Sequence, residues 1–134
     1  MMLDDLDSTI AIYHYDHTGS FQHRATRWMA SLLRAGHQFA ISDLVRMECR
    51  VGPLRSGRPV MLATFDAFFA NPDLRTIPLT ASVFDRAAEI RASHGFKTPD
   101  AVHLAAAVES GCDRFLTHDL RLARFAGIGV EVLP

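Results

Sequence analysis

Apolar and polar positions along this chain repeat with two periods, and together they predict short strands separated by longer helices. Met1–Leu6 reads as a first strand, although Asp4 and Asp5 fit a buried parallel strand poorly. Ile10–Tyr15 is apolar and aromatic. From Phe21 to Leu33 the spacing is helical, with Ala25, Trp28, Met29 and Leu32 on one face, and Gly36 ends it. Gln38–Ile41 is a short strand. Ser42 is a good N-cap for a helix over Asp43–Val51, which Gly52-Pro53 should break, leaving Arg55–Arg58 as a polar loop. Met61–Phe69 is a further apolar helix.

The second half repeats the alternation. Arg75–Leu79 reads as a strand, and Thr80 caps a helix over Ala81–Ser93 that places Val83, Ala87 and Ile90 on one face. Gly95 suits its left-handed stop. Thr98 as N-cap and Pro99 as first helical residue open a helix to Glu109. That helix is apolar nearly all round, which predicts a buried central position. Arg114–Thr117 is a strand, Leu120–Phe125 a helix and Val130–Leu133 a last strand. The alternation predicts an α/β fold with a mainly parallel central sheet.

The 134 residues are enough for one domain and leave no room for a second core. No apolar run approaches the roughly 20 residues that span a bilayer. Met1–Asp7 carries acids where a signal peptide carries bases, so the expected protein is soluble and cytoplasmic, with no membrane partner. Net charge is −1, which excludes nucleic-acid binding through bulk positive charge but leaves room for a local basic rim. Every base except Lys97 is arginine, the side chain suited to bidentate contact with phosphate, although a GC-rich genome gives the same bias. Cys49 and Cys112 are lone thiols in apolar settings, so structural zinc is not expected.

Four acids fall where such a fold builds sites. Asp7 closes the first strand, Glu48 lies on the helix after the second, Asp100 sits in the first turn of the buried helix, and Asp119 follows the strand Arg114–Thr117. Converging there, they would repel one another unless a cation joined them, and hard oxygen donors favour Mg²⁺ or Mn²⁺. Each acid alone has a plainer explanation: Asp100 a helix N-terminus, Glu48 a solvated helix face, Asp119 a helix cap. Their combined order carries the metal-site reading.

The stretch Lys97-Thr-Pro-Asp-Ala-Val-His-Leu-Ala, followed by Gly111-Cys-Asp-Arg-Phe-Leu-Thr-His-Asp119, resembles the C-terminal half of PIN-domain ribonucleases. More narrowly it resembles the VapC-type toxins of type II (VapBC) toxin–antitoxin systems. Leu6-Asp-Ser-Thr-Ile-Ala-Ile-Tyr13 is similar to their opening motif and Ser42-Asp-Leu-Val-Arg-Met-Glu48 to their second acidic motif. The resemblance implies a three-layer α/β/α sandwich. It makes Asp7, Glu48, Asp100 and Asp119 the catalytic acids and gives Mg²⁺ chiefly to Asp7 and Asp100, with Asp119 in support. Ser8 and Thr117 become polar neighbours of the carboxylates. The implied activity is hydrolysis of RNA phosphodiesters by metal-activated water, the implied partner a VapB-like antitoxin, and the implied assembly a homodimer. Two departures stand out: Asp4 and Asp5 occupy a strand that is usually apolar, and His118 replaces the usual Asn.

Other residues keep two readings. His103, one turn after Asp100, either orients that carboxylate or packs as a core histidine bonded to backbone. His14, His17 and His23 lack a ligand spacing. Arg46 and Lys97 flank the acids and contact phosphate or balance local charge. Arg50, Arg55 and Arg58 form an RNA rim or a solvated surface. Asp5-Leu-Asp7-Ser-Thr9 also matches the DxDxT pattern of haloacid-dehalogenase-type phosphohydrolases, with Asp5 as nucleophile and Asp7 as acid/base. The remaining alternative is a PIN-like binding module without catalysis.

Overall fold

The computed structural model describes residues 1–134. The strands are β1 (Leu3–Leu6), β2 (Gln38–Ser42), β3 (Arg75–Ile77), β4 (Arg114–Thr117) and β5 (Gly129–Val132). The helices are α1 (Ser8–Asp16), α2 (Ser20–Arg34), α3 (Asp43–Ser56), α4 (Pro59–Phe69), α5 (Ala81–His94) and α6 (Thr98–Glu109), and a 3₁₀ turn covers Leu120–Arg124. Every strand pair is parallel, in the order β3-β2-β1-β4-β5. The expected mainly parallel sheet is therefore wholly parallel.

Helices cover both faces, as a parallel sheet requires. Leu3, Ala40 and Phe115 point to a cluster built with Ala101, Leu104 and Ala105 of α6 and Val83, Ala87 and Ile90 of α5. Leu6, Ile41 and Leu116 point the other way, to Ile10, Met29, Val45, Phe65 and Phe69 of α1–α4. The result is a three-layer α/β/α sandwich. Its α6 is buried from Ala101 to Ala107, where small side chains let it lie close to the sheet. No helix is long and apolar enough to cross a membrane.

Several predicted boundaries move. The helix after β2 does not break at Gly52-Pro53 but runs to Ser56. Pro53 is buried in its packed face, and the stop is Gly57 at φ 64, where Arg58 N–H returns to the Pro53 carbonyl at 2.9 Å. Of the expected loop at Arg55–Arg58, Arg55 and Ser56 are thus the end of α3, and Gly57 and Arg58 connect it to α4. Only Arg75–Ile77 of the third strand pairs. Thr98 is helical and Lys97 takes the N-cap position, the Thr98 hydroxyl instead accepting from Arg91 at 3.1 Å. Thr80 does cap α5, accepting from Val83 N–H at 3.3 Å. The last predicted helix is the 3₁₀ turn.

The two intruding acids of β1 are accommodated differently, because alternate strand residues face opposite layers. Asp4 is 0% exposed and faces α1–α4. Arg114, its partner on β4, donates to both carboxylate oxygens at 3.0 and 2.9 Å, and His37 Nδ1 lies 2.6 Å from one of them. Asp5 is 1% exposed, faces α6 and has no hydrogen-bond partner on either side-chain oxygen. Burial, with the Asp7 charge adding to it, pushes its carboxyl well above the usual range.

Candidate active site

The strand order makes the crevice. The chain leaves the central β1 toward β2 on one side, while β4 enters on the other, so the carboxyl ends of β1 and β4 open at a topological switch point. Asp7 stands there as the N-cap residue of α1, its N–H donating to Leu116 O at 2.9 Å. Asp119 follows β4 directly. α6 runs back toward the start of β4, so its first turn, with Asp100, lies at the same end. α3 leaves β2 at that end and carries Glu48.

Thr117 ties two of these acids together. Its hydroxyl, fully buried, donates to Asp7 Oδ2 at 2.7 Å and accepts from the Asp119 backbone N–H at 3.0 Å. Ser8 and Thr9 approach the same carboxylate at 3.4 Å. Both polar neighbours singled out in the sequence, Ser8 and Thr117, therefore touch Asp7. The isosteric Thr117→Val substitution should cost about 1–3 kcal/mol, since it strands a buried carboxylate oxygen and an amide. Thermal unfolding of the variant checks this, and unchanged stability would contradict the bridge.

Glu48 is held from α6. His103 Nε2 lies 2.6 Å from Glu48 Oε1 and 3.8 Å from Asp7 Oδ1. Burial alone would raise the Glu48 carboxyl, but the His103 hydrogen bond and charge, with Ser8, outweigh it and hold it below the usual range. The same carboxylates outweigh burial at His103 and raise its imidazole. His103 was expected to serve Asp100 or to bond backbone. It is packed in the core and its charge acts to lower the Asp100 carboxyl, but its hydrogen bond goes to neither group, because Nε2 reaches across to Glu48 on α3. The neighbouring Cys49 thiol, pushed up to about 12 by burial, is no nucleophile at neutral pH.

Asp119 is clasped by a residue the sequence reading overlooked. Arg121 donates to both its oxygens, with Nη2 to Oδ2 at 2.6 Å, and Asp119 Oδ1 caps the 3₁₀ turn through Arg121 N–H at 3.0 Å. That clasp holds the Asp119 carboxyl below its ordinary value. Asp100 has no such partner. Burial first, then the charges of Asp119 and Asp7, raise its carboxyl. These couplings bring Asp7, Asp100 and Asp119 into one electrostatic unit, with Glu48 joined to Asp7 through His103.

The donor set is oxygen only, which fits Mg²⁺ or Mn²⁺ and not zinc. No three acidic, histidine or cysteine side chains stand close enough together here to hold a metal ion between them. An open carboxylate site suits Mg²⁺, which keeps several waters and takes one or two protein carboxylates directly.

Other predicted groups are placed less simply. Lys97 is exposed, three residues before Asp100. Arg46 rests its guanidinium over the Phe69 ring, 5.0 Å from the centroid, so α4 takes up the cation expected to reach phosphate. Arg50 pairs with Asp66, and Arg58 with Asp16. Asp5 cannot be a phosphohydrolase nucleophile, because a carboxyl sealed beneath α6 meets no substrate. An aromatic cluster adjoins the acids. Tyr13 stacks on Phe21 at 5.0 Å and bonds His118 Nδ1 through its hydroxyl at 2.9 Å, with His17 packed edge-on. The departure at His118 thus docks Tyr13 beside Asp119.

A profile of the PIN domain matches residues 6–128. No curated protein sequence matches the chain. Among solved structures it is similar to VapBC2 from Rickettsia felis bound to a DNA fragment from its promoter (TM-score 0.79, 17% identity, 99% of this chain and 100% of that one). It is also similar to DNA-bound VapBC from Salmonella typhimurium (TM-score 0.78, 20% identity, 100% of both chains). A third is VapC20 of Mycobacterium tuberculosis, described as a sarcin–ricin loop cleaving toxin (TM-score 0.77, 18% identity, 94% of this chain and 98% of that one).

Proposed function

The chain belongs to the PIN-domain family, and on that premise we propose that it is a divalent-metal-dependent endoribonuclease, the toxin of a VapC-type toxin–antitoxin pair, folded as one domain. The observation that carries this reading is the gathering of Asp7, Asp100 and Asp119 at the β1/β4 crevice, where Thr117 bonds both Asp7 and the Asp119 backbone and where burial, then the charges of Asp119 and Asp7, raise the Asp100 carboxyl.

In this reading Asp7 and Asp100 hold Mg²⁺, or Mn²⁺ in its place, and Asp119 supports it. The bound ion supplies charge stabilisation to phosphoryl oxygen and a lowered pKa to water. Thr117 keeps the Asp7 carboxylate in one orientation. Glu48, ionised across the neutral range, accepts a proton from the attacking water, and His103 fixes the direction in which Glu48 points. Lys97 offers a phosphate contact at the rim. Arg121 offsets part of the Asp119 charge felt at Asp100.

RNA as substrate is supported by the Tyr13–Phe21–His118 cluster beside the acids, since splayed bases of single-stranded RNA stack on such rings. Brief induction of the protein in cells, followed by mapping of RNA 5′ ends, should reveal discrete new ends that the Asp100→Ala chain does not produce. Growth arrest with no new ends would contradict the nuclease reading and favour a catalytically silent module.

Two apolar surfaces support partners. Met47, Val51 and Leu54 form an exposed stripe along α3, joined by Val60 of α4, and fit a homodimer. A groove of about 640 Å³ between α2, the start of β2 and the end of α4, walled by Met29, Leu33, Phe39 and Phe68, fits an apolar segment of a VapB-like antitoxin. Leu54→Glu should convert a dimer to monomers in sedimentation equilibrium, and an unchanged mass would exclude the stripe as the dimer contact.

A further inference from the structure

Three buried side chains behind the acids carry polar atoms without hydrogen-bond partners, and they lie on one face of the sheet. Both Asp5 oxygens, Ser42 Oγ and His103 Nδ1 are sealed from solvent and bonded to nothing in the protein. Asp5 is 1% exposed, Ser42 0% and His103 3%. The strand register pairs Asp5 with Ala40 on β2 and with Phe115 on β4, so Asp5 points toward α6. Ser42, two residues beyond Ala40, points the same way. His103 comes down from α6 onto the Phe115 ring, centroids 6.2 Å apart. Ala40 beside Asp5, and Ala101, Ala105 and Ala106 along α6, are the small side chains of the same buried cluster.

Ser42 adds an independent sign. It occupies the N-cap position of α3, where a serine hydroxyl ordinarily accepts an N–H of the first turn, yet its side chain makes no such bond. Native interiors leave few polar groups unpaired, and a polar pocket with several convergent donors and acceptors holds ordered water.

We propose that Asp5, Ser42 and His103 Nδ1 enclose an internal water that holds the His103 ring from behind, making Asp5 a positioning residue for Glu48. The chain of contacts runs from Asp5 through the water to Nδ1, across the imidazole, and from Nε2 to Glu48 Oε1. Without the inner anchor the ring keeps its Glu48 bond and its contacts with Asp7 and Phe115, all on the other side of the ring from Nδ1 or on its face, and Glu48 loses a fixed direction. This account also explains why an acid occupies an inward strand position that an apolar residue would fill more stably. The effect on catalysis rests on the nuclease reading above. The water and the ring restraint do not.

The test uses the full chain labelled with ¹⁵N-histidine, with His103 assigned through a His103→Gln variant. In Asp5→Leu, which places an apolar residue in a buried strand and so keeps the fold, the His103 Nδ1 resonance should shift. In Asp5→Asn, which can still bond the water, it should stay near the parent position. A crystal structure of the parent protein should hold a water between Asp5, Ser42 and His103. For RNA cleavage, Asp5→Leu should lower kcat about tenfold with KM unchanged, and Asp5→Asn should recover most of it. His103 resonances identical in the parent and Asp5→Leu proteins, together with a dry pocket, would overturn the proposal. A protein that cleaves no RNA would defeat the nuclease reading alone, because ring resonances and water are read without substrate.

Discussion

Asp100→Ala and Asp7→Ala proteins should remain folded and cleave RNA on the order of a thousandfold more slowly. Loss of a metal-holding carboxylate forfeits several kcal/mol of transition-state stabilisation, and about 1.4 kcal/mol is a factor of ten. The fold should not suffer at Asp100, because that carboxyl is destabilised where it sits by burial and by Asp119 and Asp7. The sign follows from its raised pKa. Between the ordinary carboxyl pKa and its raised value in the fold, the native state binds more protons than the unfolded state, so stability falls as pH rises through that window. Asp100→Ala removes this slope. In EDTA its melting temperature should match the parent near pH 3 and exceed it at pH 7. Asp7→Ala gains less, since it also strands the Thr117 hydroxyl. A folded Asp100→Ala protein with full activity would remove Asp100 from the site.

The second large effect is structural. Arg114→Met should cost about 3 kcal/mol or more, because it leaves the Asp4 carboxylate buried with His37 alone. Breaking one side of a buried ion pair costs more than replacing both sides. The double variant Asp4→Leu, Arg114→Met should therefore recover most of the loss. Urea unfolding of the parent, both single variants and the double variant gives the coupling directly. Additive single costs would show that Arg114 does not neutralise Asp4.

These two sites also mark how far the sequence could be read. The helices expected over Phe21–Leu33, Ala81–Ser93 and Pro99–Glu109 match α2, α5 and α6 to within a residue at each end, and the four strands after β1 likewise follow from apolar periodicity and turn residues. The four acids follow from their places at strand ends and from the motifs around Asp7, Glu48, Asp100 and Asp119. What periodicity does not encode is which strands lie side by side. Asp4 looks misplaced in β1 until β4 brings Arg114 alongside and the turn before β2 brings His37. The His103–Glu48 bond spans 55 positions between two helices that share no local signal. Arg121 was legible only as a basic residue two places after Asp119. Its clasp depends on the tight 3₁₀ turn that replaces the predicted helix. The break predicted at Gly52-Pro53 fails because packing of the Pro53 face outweighs local propensity, and Gly57 supplies a better stop.

The central claim is that the acids at the β1/β4 crevice cleave RNA with a divalent metal. End-labelled total RNA should be incubated with the purified protein in Mg²⁺ and in EDTA, beside the Asp100→Ala variant. The account predicts discrete fragments in Mg²⁺, none in EDTA, none from the variant, and recovery when excess Mg²⁺ or Mn²⁺ is returned. Intact RNA in the presence of folded protein and Mg²⁺, or fragments that persist both in EDTA and with Asp100→Ala, would contradict it.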